Sequence, residues 1–328
     1  MAARRPTATR SRARRASVLE QRAPAPLAIA DRLAPGVDRL GVRKTYKLYI
    51  GGEFPRTESG RAYEVFSARG ELLANACRAT RKDIRDAVRA ARKALPGWSS
   101  RTAFNRSQVL YRIAELLEGR RDQFIGEVMA AEGLGRQRAT RMVNAAIDRW
   151  VWYAGWADKF TQVSGSVNPV AGSYFNFSVP EPTGVVGVIA PEASSLLGLV
   201  SRLAPVIVSG NCAVVIASES RPLPAVTLTE VLATSDVPGG VVNLITGLRR
   251  ELVTHLAGHM DVNALDAYGL DPAQEVAVEE LATENVKRLI RPPRGGADGI
   301  DWLSPRAQSP YQIGEFTETK TVWHPIGS

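Results

Sequence analysis

The sequence predicts an α/β protein whose core is a parallel sheet. Nearly continuous apolar runs alternate with segments of helical composition between residues 184 and 267. The apolar runs are 184–190, 212–216, 240–246 and 262–267, and the intervening helices are expected at about 196–208, 222–234 and 249–257. Apolar strands that alternate with helices are typical of right-handed βαβ units. The pattern therefore predicts a Rossmann-like, doubly wound sheet, whose ligands would lie beyond the carboxyl ends of the strands.

A hairpin and a layer of helices are expected before this sheet. Residues 46–50 alternate as a strand and turn at the glycine pair 51–52, because a tight hairpin needs positive φ angles. Thr80 and Asp83 have the spacing of a capping box at a helix start, and the Pro-Gly pair at 96–97 is expected to end that helix.

Two further helices and a strand complete the N-terminal part. Apolar positions at helical spacing predict a helix around 109–117 and another over about 140–160. The aromatic residues of the latter are interpreted as packing: Trp150, Trp152, Tyr153 and Trp156. A turn-rich stretch at 165–172 then precedes an alternating strand at 173–179.

Composition narrows the class of protein. A chain of 328 residues with 45% hydrophobic residues can form one large core or two ordinary ones. No apolar run reaches about 18 residues, so no membrane helix is expected. Cys77 and Cys212 are far apart, which indicates no disulfide framework and fits a reducing, cytoplasmic location.

The basic character of the chain is concentrated in its first residues. Residues 1–45 contain eleven of the 42 Lys/Arg, and the rest of the chain is nearly neutral. This tail is predicted to be disordered. Arg14-Arg15 hints at a twin-arginine signal, but Glu20 follows where an apolar segment is needed. No aromatic residues interleave with the arginines, which argues against nucleic-acid binding. The preferred interpretation is a composition-driven extension or a mis-assigned start.

A series of short motifs resembles the aldehyde dehydrogenase family in order and spacing. The motifs are Pro180-Glu-Pro-Thr-Gly-Val-Val-Gly-Val-Ile-Ala-Pro191, Leu203-Ala-Pro205, Gly210-Asn211, Ser218-Glu219, Pro222-Leu223, Pro238-Gly-Gly-Val-Val-Asn243, Thr246-Gly247 and His259. The resemblance covers residues 46–290 and 315–325. It implies an aldehyde dehydrogenase-like fold with a small β oligomerisation element, formed by the hairpin at about 161–179 and the last strand, that bridges neighbouring subunits.

The chain departs from the family pattern between residues 290 and 316. There a full-length member carries its whole catalytic domain, including the nucleophilic cysteine. The resulting division is a disordered basic tail at 1–45, a hairpin and helices at 46–160, a bridging hairpin at 161–183, a cofactor-type domain at 184–290, a linker at 291–314 and an oligomerisation strand at 315–328.

The resemblance also implies where a dinucleotide would bind. Pro191, Ser218, Glu219 and Gly247 match cofactor-binding positions of the family, and Glu219 matches the glutamate that holds the adenosine ribose. These four residues form a residual site, so NAD or NADP would bind with weak affinity.

Other functional positions of the family have changed in this chain. Ala193 stands where an asparagine supplies an oxyanion-hole donor, and Ile216 replaces a ribose-binding lysine. Arg249 replaces the second glycine of Thr-Gly-x-Gly, where bare backbone should approach the cofactor. Leu270 replaces the serine that contacts the pyrophosphate, and residues 291–296 lack the general-base carboxylate. The resemblance therefore implies no catalytic residues in this chain.

No replacement chemistry is evident in the sequence. Cys212 starts a buried strand and Cys77 lies in the N-terminal strand region, whereas an activated thiol needs access and a neighbouring base. His255 and His259 have i, i+4 spacing, with Asp261 nearby, which suggests a metal site. Because His259 matches an ordinary family position, no metal is expected.

The sequence leaves three functional hypotheses open. The first is a non-catalytic homologue that acts as an assembly or regulatory subunit in a homo- or hetero-oligomer with a catalytic aldehyde dehydrogenase. The second is an NAD(P)-dependent oxidoreductase that acts on an aldehyde or oxo group through an unrecognised site. The third is a small-molecule binding module in the former cofactor cleft. The terminal strand, 316–323, supports the first hypothesis unless it only completes the chain's own hairpin. Neither a membrane nor nucleic acid is expected as a partner.

Overall fold

A small sheet opens the part of the chain that the computed structural model describes, residues 42–293 and 299–327. Its strands run in the order β1-β3-β2: β1 (Thr45–Tyr46), β2 (Ala62–Phe66) and β3 (Leu72–Cys77). The hairpin predicted after β1 is present, because Ile50 bridges Glu53 and the intervening Gly51 and Gly52 have φ angles of 65° and 90°. The predicted basic tail, with its Arg14-Arg15 pair, lies almost entirely outside the described residues.

Five helices follow this small sheet: α1 (Arg81–Ser99), α2 (Ala103–Gly119), α3 (Arg121–Glu132), α4 (Arg136–Trp156) and α5 (Phe160–Ser164). The capping box at the start of α1 is confirmed, with the Thr80 N–H donating to the Asp83 carboxylate at 2.7 Å. The prediction that α1 ends at 96–97 is wrong. The helix continues to Ser99 because the fully buried Trp98 anchors its last turn, donating its indole N–H to the Ile207 carbonyl at 3.0 Å.

The helix predicted at 140–160 is also divided differently in the structure. It starts earlier, at Arg136, and ends at Trp156, and a short turn separates it from α5. The aromatic residues of α4 pack as expected, with Trp150 and Tyr153 fully buried and Trp152 against both Tyr153 and Trp156.

A hairpin leads from the helices into the central sheet. Its strands are β4 (Ser166–Asn168) and β5 (Tyr174–Pro182), which pair antiparallel. The central sheet and its helices then run β6 (Val185–Ile189), α6 (Leu197–Val208), β7 (Cys212–Ile216), α7 (Leu223–Leu232), β8 (Val242–Ile245), α8 (Arg249–Ala257), β9 (Ala264–Asp266), α9 (Pro272–Thr283) and β10 (Arg288–Ile290).

The central sheet confirms the predicted fold class. All its strands are parallel, in the order β10-β9-β6-β7-β8. The strands β6, β7 and β8 are completely buried. The chain order reverses at β6, with β7 and β8 on one side and β9 and β10 on the other. In a doubly wound sheet, ligands bind where this reversal leaves a crevice. The expected ligand crevice is therefore the gap between the carboxyl ends of β6 and β9.

The described residues from 299 to 316 pack onto the core. Within the predicted linker, 291–314, the described residues 299–314 contain a 3-10 turn (Pro305–Ala307) and α10 (Pro310–Gly314). Buried Arg149 of α4 donates to the carbonyls of Trp302 at 2.9 Å and Ala307 at 2.6 Å. Apolar residues of this segment, together with Phe316 just after it, join the main core: Trp302, Ala307, Ile313 and Phe316.

The terminal strand, β11 (Thr317–Pro325), pairs antiparallel with β5 along its whole length. This gives a three-stranded sheet in the order β11-β5-β4, in which β11 is an edge strand among the described residues. No helix within residues 42–293 or 299–327 is both long and apolar enough to cross a membrane.

Candidate functional site

The loops that follow β6, β7, β8 and β9 meet at the carboxyl edge of the central sheet. The structure places the four predicted cofactor-binding residues in or directly beside these loops, with Pro191 after β6, Ser218 and Glu219 after β7, and Gly247 after β8. This edge is therefore the candidate ligand-binding region of the fold.

The side chain of Arg249 occupies the gap at this edge. Arg249 is 9% exposed, and its Nη1 donates to the Gly269 carbonyl at 2.6 Å. Its Nη2 donates to the Ala190 carbonyl and lies 2.9 Å from the Glu192 carboxylate. Because Ala190 follows β6 and Gly269 follows β9, the guanidinium joins the two strand ends across the point where the chain order reverses.

The charges around Arg249 hold it in place. Burial lowers the pKa of Arg249, and the neighbouring Glu192 and Glu219 offset part of that effect, so the guanidinium stays charged at neutral pH. Burial by itself would raise the pKa of Glu192, but Arg249 and the hydrogen bonds from Ser220 keep that pKa below its ordinary value. In the resulting charged pair, Arg249 is buried and the Glu192 side chain is 37% exposed.

Both carboxylates at the edge are engaged in internal contacts. Glu192 accepts hydrogen bonds from the backbone N–H groups of Glu219 at 3.0 Å and Ser220 at 2.8 Å, and from the Ser220 hydroxyl at 2.5 Å. Glu219 accepts from the backbone N–H of Arg249 at 2.7 Å, at the first turn of α8. The residue that matches the ribose-binding glutamate therefore serves here to cap a helix.

Two glycines at this edge allow close backbone packing. A Cβ on Gly269 would lie 2.2 Å from the Ala190 carbonyl oxygen, and one on Gly247 would lie 3.0 Å from the Ala79 N–H nitrogen. Gly247 also has a φ angle of 152°, which side-chain-bearing residues rarely adopt. These glycines bring strand ends together, and Arg249 then fills the space beside them.

The residues present do not fit a dinucleotide in this arrangement. A pyrophosphate at the edge would need donors and space between β6 and β9. The space is taken by Arg249, and Leu270 provides no side-chain donor. Ile216 is fully buried in β7 and has no polar group to reach a ribose. Part of the stretch matching the family's general base, residues 291–296, lies outside the described residues.

Neither cysteine is placed as a nucleophile. Cys212 is fully buried at the start of β7, and burial raises its pKa to about 12, so it is a thiol at neutral pH. Cys77 ends β3 and is also buried, and both cysteines are free.

The histidine pair noted in the sequence lies away from the carboxyl edge. His255 is in the last turn of α8 and His259 follows that helix. His259 Nδ1 accepts from the Asp261 N–H at 3.2 Å. In the portion of the chain that the structure describes, no group of three or more His, Cys, Asp or Glu side chains could hold a metal ion.

Sequence reasoning missed a buried ion pair below the edge. Arg202 of α6 and Asp266 of β9 are both fully buried, with Nε 2.6 Å from Oδ2. Arg202 also contacts the Glu315 carboxylate at 2.8 Å and lies 3.8 Å from the ring centroid of Tyr268. The available signal was the single charge in the otherwise apolar helix at 196–208.

Comparisons with known proteins agree on the relatives of this chain. The family model described as "Aldehyde dehydrogenase family" matches residues 55–292. Cytosolic aldehyde dehydrogenase 1 of Elephantulus edwardii is 30% identical over 250 residues, which is 74% of this chain and 49% of that protein. Retinal dehydrogenase 2 of Homo sapiens is 31% identical over 253 residues, which is 75% of this chain and 48% of that protein.

Solved structures give the same result. An NAD+ complex of aldehyde dehydrogenase from Bacillus cereus superposes with a TM-score of 0.70 at 26% identity, covering 75% of this chain and 50% of that one. HpcC from Thermus thermophilus superposes with a TM-score of 0.71 at 29% identity, covering 75% of this chain and 47% of that one. The chain spans about half the length of the curated relatives it matches. By sequence and by fold, it belongs to the aldehyde dehydrogenase family.

Proposed function

We propose that this chain is a non-catalytic member of its family that acts as an assembly or regulatory subunit of a full-length aldehyde dehydrogenase. The observation that carries the proposal is the position of Arg249, whose guanidinium joins the ends of β6 and β9 where cofactor phosphates would have to lie. A chain with a closed cofactor edge can still contribute its surface to an oligomer.

The sheet β11-β5-β4 supports the assembly role. Its strand register places Val167, Phe177 and Val322 side by side, with Phe175 on the same face. Val167 is 68% exposed and Phe175 is 45% exposed, and the rings of Phe175 and Phe177 are 5.4 Å apart. Contiguous exposed apolar residues mark interaction sites. We name this group of four residues the apolar sheet face.

The other face of the same sheet is linked across its strands by polar side chains, and it also exposes Trp323, which lies opposite Asn176 in the register. The Asn168 amide donates to Asn176 at 2.6 Å and to Ser178 at 2.9 Å, and the Ser178 hydroxyl lies 2.9 Å from that of Thr321. These polar contacts fix the strands relative to one another. The apolar sheet face and the outer edge of β11 are the parts that gain from a partner.

Co-expression with a full-length dehydrogenase from the same organism tests the assembly role. We expect the two chains to co-elute in size-exclusion chromatography with light scattering, and the double variant V167E/F175E to elute alone. A matched control is the double variant F104E/Y111E, which places the same charges on exposed aromatic residues of α2 and should leave co-elution unchanged. A wild-type chain that stays monomeric in every mixture contradicts the proposal.

An NAD(P)-dependent oxidoreductase is the second candidate, and one observation favours it. Arg249 is a cation at the carboxyl edge, and within the described residues its Nε has no hydrogen-bond partner. If the side chain moved outward, it would offer a positive charge to a phosphate group. Aldehyde oxidation by the purified chain, lost in Glu219→Ala or Cys212→Ala, would establish this candidate.

Whether Arg249→Gly strengthens or weakens NAD+ binding separates the two candidate functions. We expect Arg249→Gly to bind NAD+ at least about tenfold more tightly than the wild type, because the substitution opens the edge and restores bare backbone. Under the second candidate the same variant loses a phosphate ligand and binds more weakly. Calorimetric titration measures the change, and Arg250→Gly, the exposed neighbour in α8, is the matched control.

The wild-type chain is expected to bind dinucleotides poorly. Relative to a full-length family member, two lost hydrogen bonds to charged phosphate or ribose, at roughly 1.5–3 kcal/mol each, weaken binding by about two to four decades. Micromolar affinity for NAD+ or NADP+ in the same titration would contradict this expectation.

A further inference from the structure

A second candidate site lies between the first turn of α1 and the last turn of α8. A cavity of about 380 Å³ opens there. No carboxylate is among its described lining residues. The charged and titratable side chains that line it are all basic or imidazole groups: Arg81, Lys82, Arg85, His255 and His259. This histidine pair is the one that the cofactor-type fold leaves without a role.

The surrounding carboxylates neutralise the cavity only in part. Lys82 pairs with Glu58, and Arg85 lies 2.9 Å from its neighbour Asp86. None of the ion pairs found in the described residues gives Arg81 a carboxylate partner. Near His259, Asp261 is opposed by Lys287, Arg89 and Arg92. The cavity therefore keeps an excess of positive charge.

This positive charge favours an anion over the metal ion that a histidine pair would suggest. Two neighbouring imidazoles can bind a divalent metal ion. Here Arg81, Lys82 and Arg85 line the same cavity, so a cation would be repelled and a multiply charged anion attracted. Guanidinium groups present paired donors that match the oxygens of phosphate groups.

We propose that this cavity binds the diphosphate group of a small molecule, with Arg81 and Arg85 as its main ligands and His255 as an additional donor. A volume of about 380 Å³ is in the range of small-molecule sites. The site is separate from the carboxyl edge, because Arg249 and the end of α8 are about 12 Å apart along the helix axis. The inference does not rest on the proposed assembly function.

Titration calorimetry of the full chain with inorganic pyrophosphate tests the site. We expect saturable binding at moderate salt that weakens at least tenfold in the double variant R81Q/R85Q and measurably in His255→Gln. Both arginines are exposed, so the double variant should keep the wild-type melting temperature. Arg136→Gln removes one exposed charge at the start of α4 and should change the affinity less than twofold.

The basic residues 1–45 are the main alternative source of anion binding. The variants separate binding by these residues from binding in the cavity. Equal pyrophosphate affinity in the wild type and R81Q/R85Q would overturn the proposal, as would no binding at millimolar pyrophosphate. Persistence of binding in Arg249→Gly supports a site distinct from the carboxyl edge, whereas its loss there overturns this assignment.

Further ligands identify the source of the diphosphate. ADP binding tenfold or more tighter than pyrophosphate supports a nucleotide ligand, and equal affinities support a free diphosphate. Binding of adenosine alone, unaffected by R81Q/R85Q, would count against an anion site. A short RNA that binds more tightly than either ligand and competes with both would replace the small molecule with a nucleic-acid backbone, which would refute the proposal.

Discussion

Arg202 and Asp266 form a fully buried ion pair whose stability depends on both partners being present. Such a pair is often no better than apolar residues of the same volume, but removing one member leaves a buried charge without its partner. Here Glu315 contacts the same guanidinium at 2.8 Å and would compensate in part.

We expect Arg202→Leu to lower the free energy of unfolding by about 3 kcal/mol at pH 7, because it leaves the buried Asp266 carboxylate without its cation. Urea unfolding followed by fluorescence measures the change. The exposed pair of Asp158 and Lys159 is the control, since Asp158→Asn should change stability by less than about 0.5 kcal/mol. A loss for Arg202→Leu no larger than that of the control would show that the buried pair has no such role.

The same carboxyl predicts a pH dependence. Burial raises the pKa of Asp266 to about 6 from its ordinary 3.8, with Arg202 opposing the shift and Glu315 adding to it. The folded state therefore holds this proton more tightly than the unfolded chain. Its contribution to stability is complete below pH 3.8 and is lost as the pH rises through about 6. Unfolding curves between these values should show a downward slope in wild type that is reduced in Asp266→Asn.

At the scale of the element, β11 links the chain's own hairpin to the surface proposed for assembly. Phe316, directly before this strand, is fully buried, and its carbonyl accepts from the Asn211 amide at 2.7 Å. Most residues of β11 itself are exposed. The boundary between core and interface therefore falls after Phe316.

Deleting residues 319–328 should leave the central sheet folded and disrupt association. The deletion removes the strand that covers one side of β5, and so exposes unpaired backbone at the proposed interface. Circular dichroism should show unchanged secondary structure in the remainder, and light scattering should show a smaller assembly. If the truncated chain forms the same oligomer as the intact chain, β11 has no part in the interface.

At the scale of the whole molecule, the described segment from residue 299 to Phe316 belongs to the main core. Trp302 is 6% exposed, and its ring centroid lies 6.2 Å from that of Tyr268. Arg149 holds the carbonyl of Trp302, before the 3-10 turn, and that of Ala307, the last residue of the turn. Because this segment, the helical layer and the central sheet share one core cluster, we expect them to unfold together.

Trp302→Ala should destabilise the whole described domain by about 3–5 kcal/mol, as expected for a large aromatic residue removed from a core. Fluorescence and circular dichroism should report the same shifted urea midpoint. Trp323, at 58% exposure on β11, is the matched control, and Trp323→Ala should change stability by about 0.5 kcal/mol or less. A separate early transition in the Trp302 variant would show that the segment unfolds independently of the sheet.

The sequence by itself was enough for the fold and the family. The alternation of apolar strands and helices at 184–267 depends on local periodicity, so it predicted β6 to β9 and their helices correctly, and the motifs that lie on them identified the relatives. Local signals were less reliable at helix ends. The Pro-Gly pair at 96–97 did not stop α1, because Trp98 is held by a distant part of the core.

Only the tertiary structure decided how the changed residues are used. The replacement of glycine by Arg249 was visible in the sequence, but its contacts with Ala190 and Gly269 join residues from different loops. The burial of Trp302 against Tyr268 likewise depends on partners far along the chain. The direction of a long side chain, and the carbonyl that it reaches, are set when separate βαβ units pack together, and no local pattern contains that information.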